Sequence, residues 1–309
     1  MISVSEPAKL THKSKFSSGL AFAVLFLLSL ILWFRPLWNT FALALTNDEY
    51  TQILLILPIT AALLFRNWRP QEFRFFAPAS GFLVFSLLVA GIARWGVSSA
   101  ASDLILALQM AALVSWWIAS FLFCFGWTVL RRFRFPLLFL LWMIPIPTIA
   151  LNPIVAGLQR GSAIATQCLL VIFRVPVLRQ GTLLQIPGLE LQVAAECSSI
   201  RSSLMLLVTT MVLAHLLLES PWRKLFIVLL AIPLSVAKNA VRIFVIGTLG
   251  TRVDPSFLTG RLHREGGIIF FLLALGVILL CIGVLRRGEM TRELARFNSR
   301  GVVKSPSIT

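Results

Sequence analysis

Charge is what this chain has least of. Asp, Glu, Lys and Arg make up 13% of its 309 residues, against about 25% in soluble domains. With 58% hydrophobic residues and a mean hydropathy of +0.89, that scarcity excludes a water-soluble fold. Negative charge is scarcest: 12 acidic residues stand against 28 basic ones, a net charge of +16. In a soluble protein such a surplus points to nucleic acid. Here the cations flank apolar runs, where they orient membrane spans, so no nucleic-acid partner is expected. The four cysteines form no CxxC and no Cys/His cluster, which argues against zinc. Cys124, Cys168 and Cys281 lie in apolar runs and read as small packing residues. GxSxG, HExxH and a phosphate-binding glycine loop are all missing, and there is no internal repeat. No metal and no cofactor are expected.

What the chain does have is long apolar runs. A span needs roughly 20 apolar residues to cross about 30 Å of hydrocarbon. The first runs from Phe16 to Phe34 and ends in the bulky "LWFRPLW", not in a small-residue cleavage site, so it is read as uncleaved. Further spans are expected near 51–65, 77–93 and 104–130, then from 136, near 198–218, from Leu225, and near 266–285. The clusters "FRNWRP", "RRFRF", "ESPWRK" and "RRGEMTRELAR" fall on one side if eight spans are drawn with both termini inside. The fifth span is read as broken near Pro145 and Pro147. The stretch 154–173 carries Gln159, Arg160, Ser162 and Gln167 and is read as an interfacial or re-entrant helix on the outer face. "VPVLRQGTLLQIPGLELQVAAEC" is rich in turn and β-branched residues and predicts a short β-hairpin outside the membrane. The expected fold is therefore an all-α polytopic membrane protein of about eight transmembrane helices, with a hairpin-like or re-entrant extracytoplasmic segment before the sixth. One membrane domain, 16–285, stands between a cytoplasmic tail, 1–15, and a basic cytoplasmic tail, 286–309.

Ionisable residues within spans cost about 2.5–3.5 kcal/mol on insertion scales and mark function. Arg201, Lys238 and Arg242 qualify. Arg242 lies 17 residues beyond Leu225, about 26 Å along a helix, and so near the outer boundary of the hydrocarbon. Cys197 immediately precedes the sixth span and His263 the eighth, both on the outer side. A thiol, a guanidinium and an imidazole thus share one membrane level, although sequence alone does not bring them together in the plane. Cys197 and Arg201 are i,i+4, as are Lys238 and Arg242, and Asn239 and Arg242 are i,i+3, so each set shares a helix face. Ser198 or Ser199 can cap the sixth helix, leaving Cys197 where the dipole and a nearby Arg favour thiolate. Glu196 beside it would oppose that and reads as a salt-bridge or substrate-contact residue. Taken singly, each has a plainer reading: a boundary Cys that packs, an Arg that snorkels, a loop His. His12 and His215 lie far from this level, and Asp48 and Glu49 either line an entrance or end a helix.

The blocks "AAECSSIRSSL", "PLSVAKNAVRIFVIGTLG" and "RLHREGGIIFF", in that order, resemble the signature blocks of the exosortase/archaeosortase family. "DEYTQILLILPITAALLFRNWR" and "FLLWMIPIPTIALNPIVAGLQRGSA" are similar to its second-span and middle blocks. The resemblance covers roughly residues 45–285. It implies a multi-spanning cysteine transpeptidase of the bacterial cytoplasmic membrane, with its active site on the extracytoplasmic face. Its partners would be the C-terminal sorting signals of exported proteins, typically of the PEP-CTERM kind, the membrane lipid, and an amine, glycan or lipid acceptor at the cell surface. By position it implies Cys197 as nucleophile, with Arg242 and His263 as its catalytic partners. Two departures stand out: Ser199 replaces the family's Gly after Cys-Ser, and Thr51, Gln52 and Ile53 replace a Ser-His-Gly after the Tyr. Other classes fit the residues alone. A transporter or anion channel would line its path with Arg201, Lys238 and Arg242 and tolerate thiol alkylation. A membrane acyltransferase or a purely hydrolytic thiol protease would use the same three residues and differ in the product released.

Overall fold

A computed structural model describes residues 15–66, 68, 76–95, 102–187, 189–193, 200–252 and 261–302, with backbone alone at 15–17, 95, 252, 261–266 and 292–302. The described chain is helical apart from one small sheet. It divides into two compact units, Met1–Thr148 and Ile149–Thr309. Among the described residues, six helices are long and apolar enough to cross a membrane, or seven if one bent pair counts as a span. This is the all-α polytopic membrane fold expected, with the count of eight approximate.

The first unit contains α1 (Lys15–Leu32), α2 (Phe34–Thr46), α3 (Ile53–Arg66), α4 (Ala79–Trp95), α5 (Ser102–Arg132) and α6 (Arg134–Phe139). α1 and α2 meet at 72°. The cause is local: the ring of Pro36 would clash with the carbonyl of residue i−4, which is Leu32, the last residue of α1. The bend places a second helix where the apolar run alone suggested the end of one span. α5 kinks at Gly126, whose φ of 75° and ψ of 174° suit glycine alone. Phe22 and Phe26 of α1 pack on Phe121, Phe125 and Trp117 of α5. The Trp117 indole N–H donates to Ser29 Oγ at 2.8 Å, so the ring buries its polar edge with a partner.

Between α5 and the second unit the expected broken span takes a different form. α6 and a following 3-10 turn, Leu140–Met143, give ten residues, and the backbone turns extended at Ile144 before Pro145 and Pro147. No new helix starts near 154. α7 (Thr148–Ile172) runs unbroken for 25 residues through Pro153, a rise of about 38 Å. It covers the stretch 154–173 read as an interfacial or re-entrant helix, begins six residues earlier, and is by length and composition sufficient to cross. Tertiary contacts explain why its polar residues are tolerated. Thr166 Oγ1 donates to Ser162 O at 2.7 Å and lies 3.4 Å from Ala240 O. Gln167 accepts from Arg179 Nε at 2.8 Å, and Gln159 Nε2 reaches Val193 O at 3.4 Å. α7 ends in a left-handed Arg174, φ 56°, with Val175 N–H on Leu170 O and Arg174 N–H on Val171 O, the Schellman pattern.

The rest of the second unit is the sheet β1 (Leu178–Gln180), β2 (Leu183–Ile186) and β3 (Leu189–Gln192), followed by α8 (Ile200–Leu217), α9 (Pro221–Arg252) and α10 (Arg261–Val302). The sheet is an antiparallel meander in the order β1-β2-β3, so the expected hairpin gains a third strand. Gly181 at φ 64° supplies the positive φ that a two-residue hairpin turn requires. Leu184 and Val193 bury against Ala163 of α7 and Ile243 of α9. Leu191 packs so closely that its Cδ1 lies 2.6 Å from where a Cβ on Gly247 would be. α8, α9 and α10 bury a shared core of Leu206, Ala214, Ile227, Ala231, Ala274 and Ile278.

Candidate active site

The second unit holds every residue singled out between 196 and 263. Glu196, Cys197 and Ser198 lie outside the described residues. Both flanks are anchored. Val193 is 2% exposed and its N–H donates to Thr182 O at 3.0 Å. Ile200, 4% exposed, opens α8.

α9 carries the polar face that its sequence spacing indicates. It has 32 residues and rises about 48 Å, more than the roughly 30 Å of hydrocarbon. Arg242 therefore lies about 32 Å from the start of α9. Asn239 is 0% and Lys238 6% exposed, while Arg242 is half-buried. The Lys238 ammonium donates to Ser202 Oγ on α8, which satisfies a cation that burial would otherwise penalise. Arg201, one residue earlier, is exposed.

Two fixed points set the register of α9 against α10. At one end, Arg223 pairs with Glu289 at 3.6 Å and donates to Leu285 O at 2.6 Å. The same Glu289 carboxylate accepts the N–H groups of Glu219 and Ser220 at 3.1 and 3.0 Å, closing the turn before α9. At the other end, Arg242 Nη1 lies 3.9 Å from where a Cβ on Gly267 would be. The backbone of His263 lies on α10 one turn before Gly267. The antiparallel pair thus brings Arg242 to the stretch of α10 that carries His263. Sequence had placed the two at one depth, and the structure brings their helices into contact. Ser202 and Gly267 were not singled out in the sequence. The signal for Gly267 was its i+4 spacing from His263, while nothing local marks Ser202 as the partner of Lys238.

The weaker candidates fall elsewhere. His215 occupies the last turn of α8, far along the helix from Ser202. Asp48 and Glu49 form a 3-10 turn in the first unit, capped by Asn47 Oδ1 accepting from Glu49 N–H at 3.0 Å. Gln52, which stands where the family pattern has His, is buried. Among the described residues no group of His, Cys, Asp and Glu could hold a metal.

A polytopic helical fold with a buried lysine bonded to a half-buried serine and an arginine against a glycine of the next helix defines a membrane protein with a polar site built inside a helix bundle. The chain matches the transmembrane exosortase family (Exosortase_EpsH) over residues 38–280. It belongs to that family. No curated protein and no solved structure matches it.

Proposed function

We propose that the protein is a membrane cysteine transpeptidase that cleaves C-terminal sorting signals of exported proteins, of the PEP-CTERM kind, and transfers them to a surface acceptor. The observation that carries this reading is the register of α8, α9 and α10. Ser202, two residues into α8, meets Lys238 on α9, one turn before Arg242. Gly267 meets Arg242, which puts His263 within a turn of the same level. Chain connectivity keeps Cys197 within about 11 Å of the Ile200 backbone. On this reading the nucleophile, cation and imidazole act together at the far end of α9 from its basic start, on the extracytoplasmic face.

The Cys197 thiolate attacks the scissile carbonyl of the substrate. The tetrahedral oxyanion is met by the Arg242 guanidinium, whose field is strongest where water is excluded. His263 gives its proton to the departing amine, and the collapse leaves a thioester on Cys197. His263 then takes a proton from the incoming amine or hydroxyl acceptor, which displaces the thiolate and completes the transfer. Lys238 and Asn239 stiffen the helix that carries Arg242, and Arg201, Ser198 and Glu196 contact substrate or tune the thiol. The test is co-expression with a sorting-signal protein. Processing is expected to stop with Arg242→Ala and with His263→Ala while both variants remain in the membrane at wild-type levels. Continued processing by either excludes the proposed machinery, and an anion flux that survives thiol alkylation would favour the transporter reading.

A further inference from the structure

The bend between α1 and α2 opens a cavity of about 560 Å³ within the first unit. Its walls are apolar, from Leu32 and Trp33 at the bend to Leu87 on α4, but three polar side chains line it: Arg35, Arg94 and Gln109. Both arginines are exposed, and neither has an ion pair or hydrogen bond among the described residues. The one acid on α5, Asp103, is held by Thr148, whose N–H and Oγ1 both donate to it at 2.7 and 2.6 Å. Helix electrostatics account for Arg94, in the last turn of α4, but not for Arg35, in the first turn of α2, where the dipole disfavours a cation. The other basic residues of this unit's helix ends are Lys15, Arg66, Arg131, Arg132 and Arg134. They stand at the start of α1, the ends of α3 and α5 and the start of α6. The cavity lies instead where α1 and α4 end and α5 begins. Two guanidinium groups therefore sit together at the end where the positive-inside pattern leaves few cations.

We propose that this cavity binds the phosphate headgroup of an anionic phospholipid of the surrounding membrane. The charge is complementary, and a guanidinium fork matches phosphate oxygens better than any other side chain. The lining suits a lipid and not an acidic peptide, because the apolar wall opens outward: Ile31 is 75% and Phe34 64% exposed. Arg35 and Arg94 hold the phosphate diester, Gln109 bonds a headgroup oxygen, and the acyl chains lie along Leu32 and Leu87. A zwitterionic headgroup would bring its own cation between two arginines and bind less well. The lipid then fastens α2 to α4 across the open side of the bend.

The test is native mass spectrometry of the full-length protein titrated with phosphatidylglycerol or phosphatidylcholine. One phosphatidylglycerol is expected to survive activation that strips phosphatidylcholine, and the Arg35→Gln/Arg94→Gln protein is expected to retain it at least tenfold less. Its melting midpoint in phosphatidylcholine should match the parent's. If that variant does not fold, Arg35→Lys and Arg94→Lys, which keep charge without the fork, are each expected to weaken retention. Equal retention of the two lipids by the parent, or undiminished retention by the variants, overturns the proposal. Displacement of phosphatidylglycerol by equimolar polyprenyl phosphate overturns the assignment to bulk phospholipid in favour of a prenyl carrier.

Discussion

At the scale of single residues, the polar face of α9 is held by contacts that can be removed one at a time. Lys238 donates to Ser202 from a 6%-exposed position. Removing the acceptor alone leaves a buried cation short of a partner, which costs about 1–3 kcal/mol, whereas removing both partners costs less. Ser202→Ala is therefore expected to lower the melting midpoint in detergent, and adding Lys238→Met should restore part of the loss. A double variant less stable than Ser202→Ala would contradict the pairing. Gly267 makes a second residue-scale prediction. A Cβ there meets Arg242 Nη1 only at 3.9 Å, an ordinary contact, so Gly267→Ala should keep processing within about threefold. Gly267→Leu would push the guanidinium aside and is expected to cost about tenfold or more in rate, since a misplaced catalytic group can lose 10²-fold. Arg242→Lys keeps the charge but loses the planar fork and should lower kcat by roughly 10²-fold, the range for lost oxyanion donors.

At the scale of elements, the sequence reads well wherever local chemistry decides and poorly where tertiary contacts do. A hairpin was visible as turn-rich, β-branched sequence, though its third strand was not, and Gly181 takes the positive φ its turn needs. The bend at Trp33 has a local cause in Pro36, yet the apolar run conceals it because composition continues unchanged through both helices. α7 starts six residues before the stretch that its polar residues marked, and it runs through Pro153 without a break. In the fold those polar groups are absorbed by the sheet and α9, and packing overrides the local signal. The cavity at the bend could not be read at all, since α4 and α5, distant in sequence from α1 and α2, complete it. The latch at the other end of the bundle supplies an element-scale prediction. Glu289 accepts two backbone N–H groups and pairs with Arg223, so Glu289→Ala removes a cap worth about 0.5–2 kcal/mol and leaves Arg223 unpaired. A melting midpoint several degrees lower is expected, with Glu289→Gln in between. An unchanged midpoint would show that the latch does not set the register of α10.

At the scale of the whole molecule, distance along a helix was legible and position in the plane was not. Counting residues from Leu225 gives Arg242 its rise along α9, because helical rise is fixed. Nothing in a one-dimensional pattern could show that α8, α9 and α10 share one core, or that Ser202 meets Lys238 and Arg242 approaches Gly267. The proposed site follows from those contacts together with membership of the transmembrane exosortase family. Its orientation can be checked by labelling intact cells with a membrane-impermeant maleimide. A cysteine introduced at Glu190, exposed on β3, is expected to react, and one at Arg287, two residues before Glu289 on α10, is not. The central proposal, thiol chemistry at Cys197 on a C-terminal sorting signal, has a more direct test. Cys197→Ala, present in the membrane at wild-type level, should leave a co-expressed sorting-signal protein entirely in its full-length form, while the parent converts it to the shortened species. Conversion that persists in the Cys197→Ala strain at the parent's rate would contradict it.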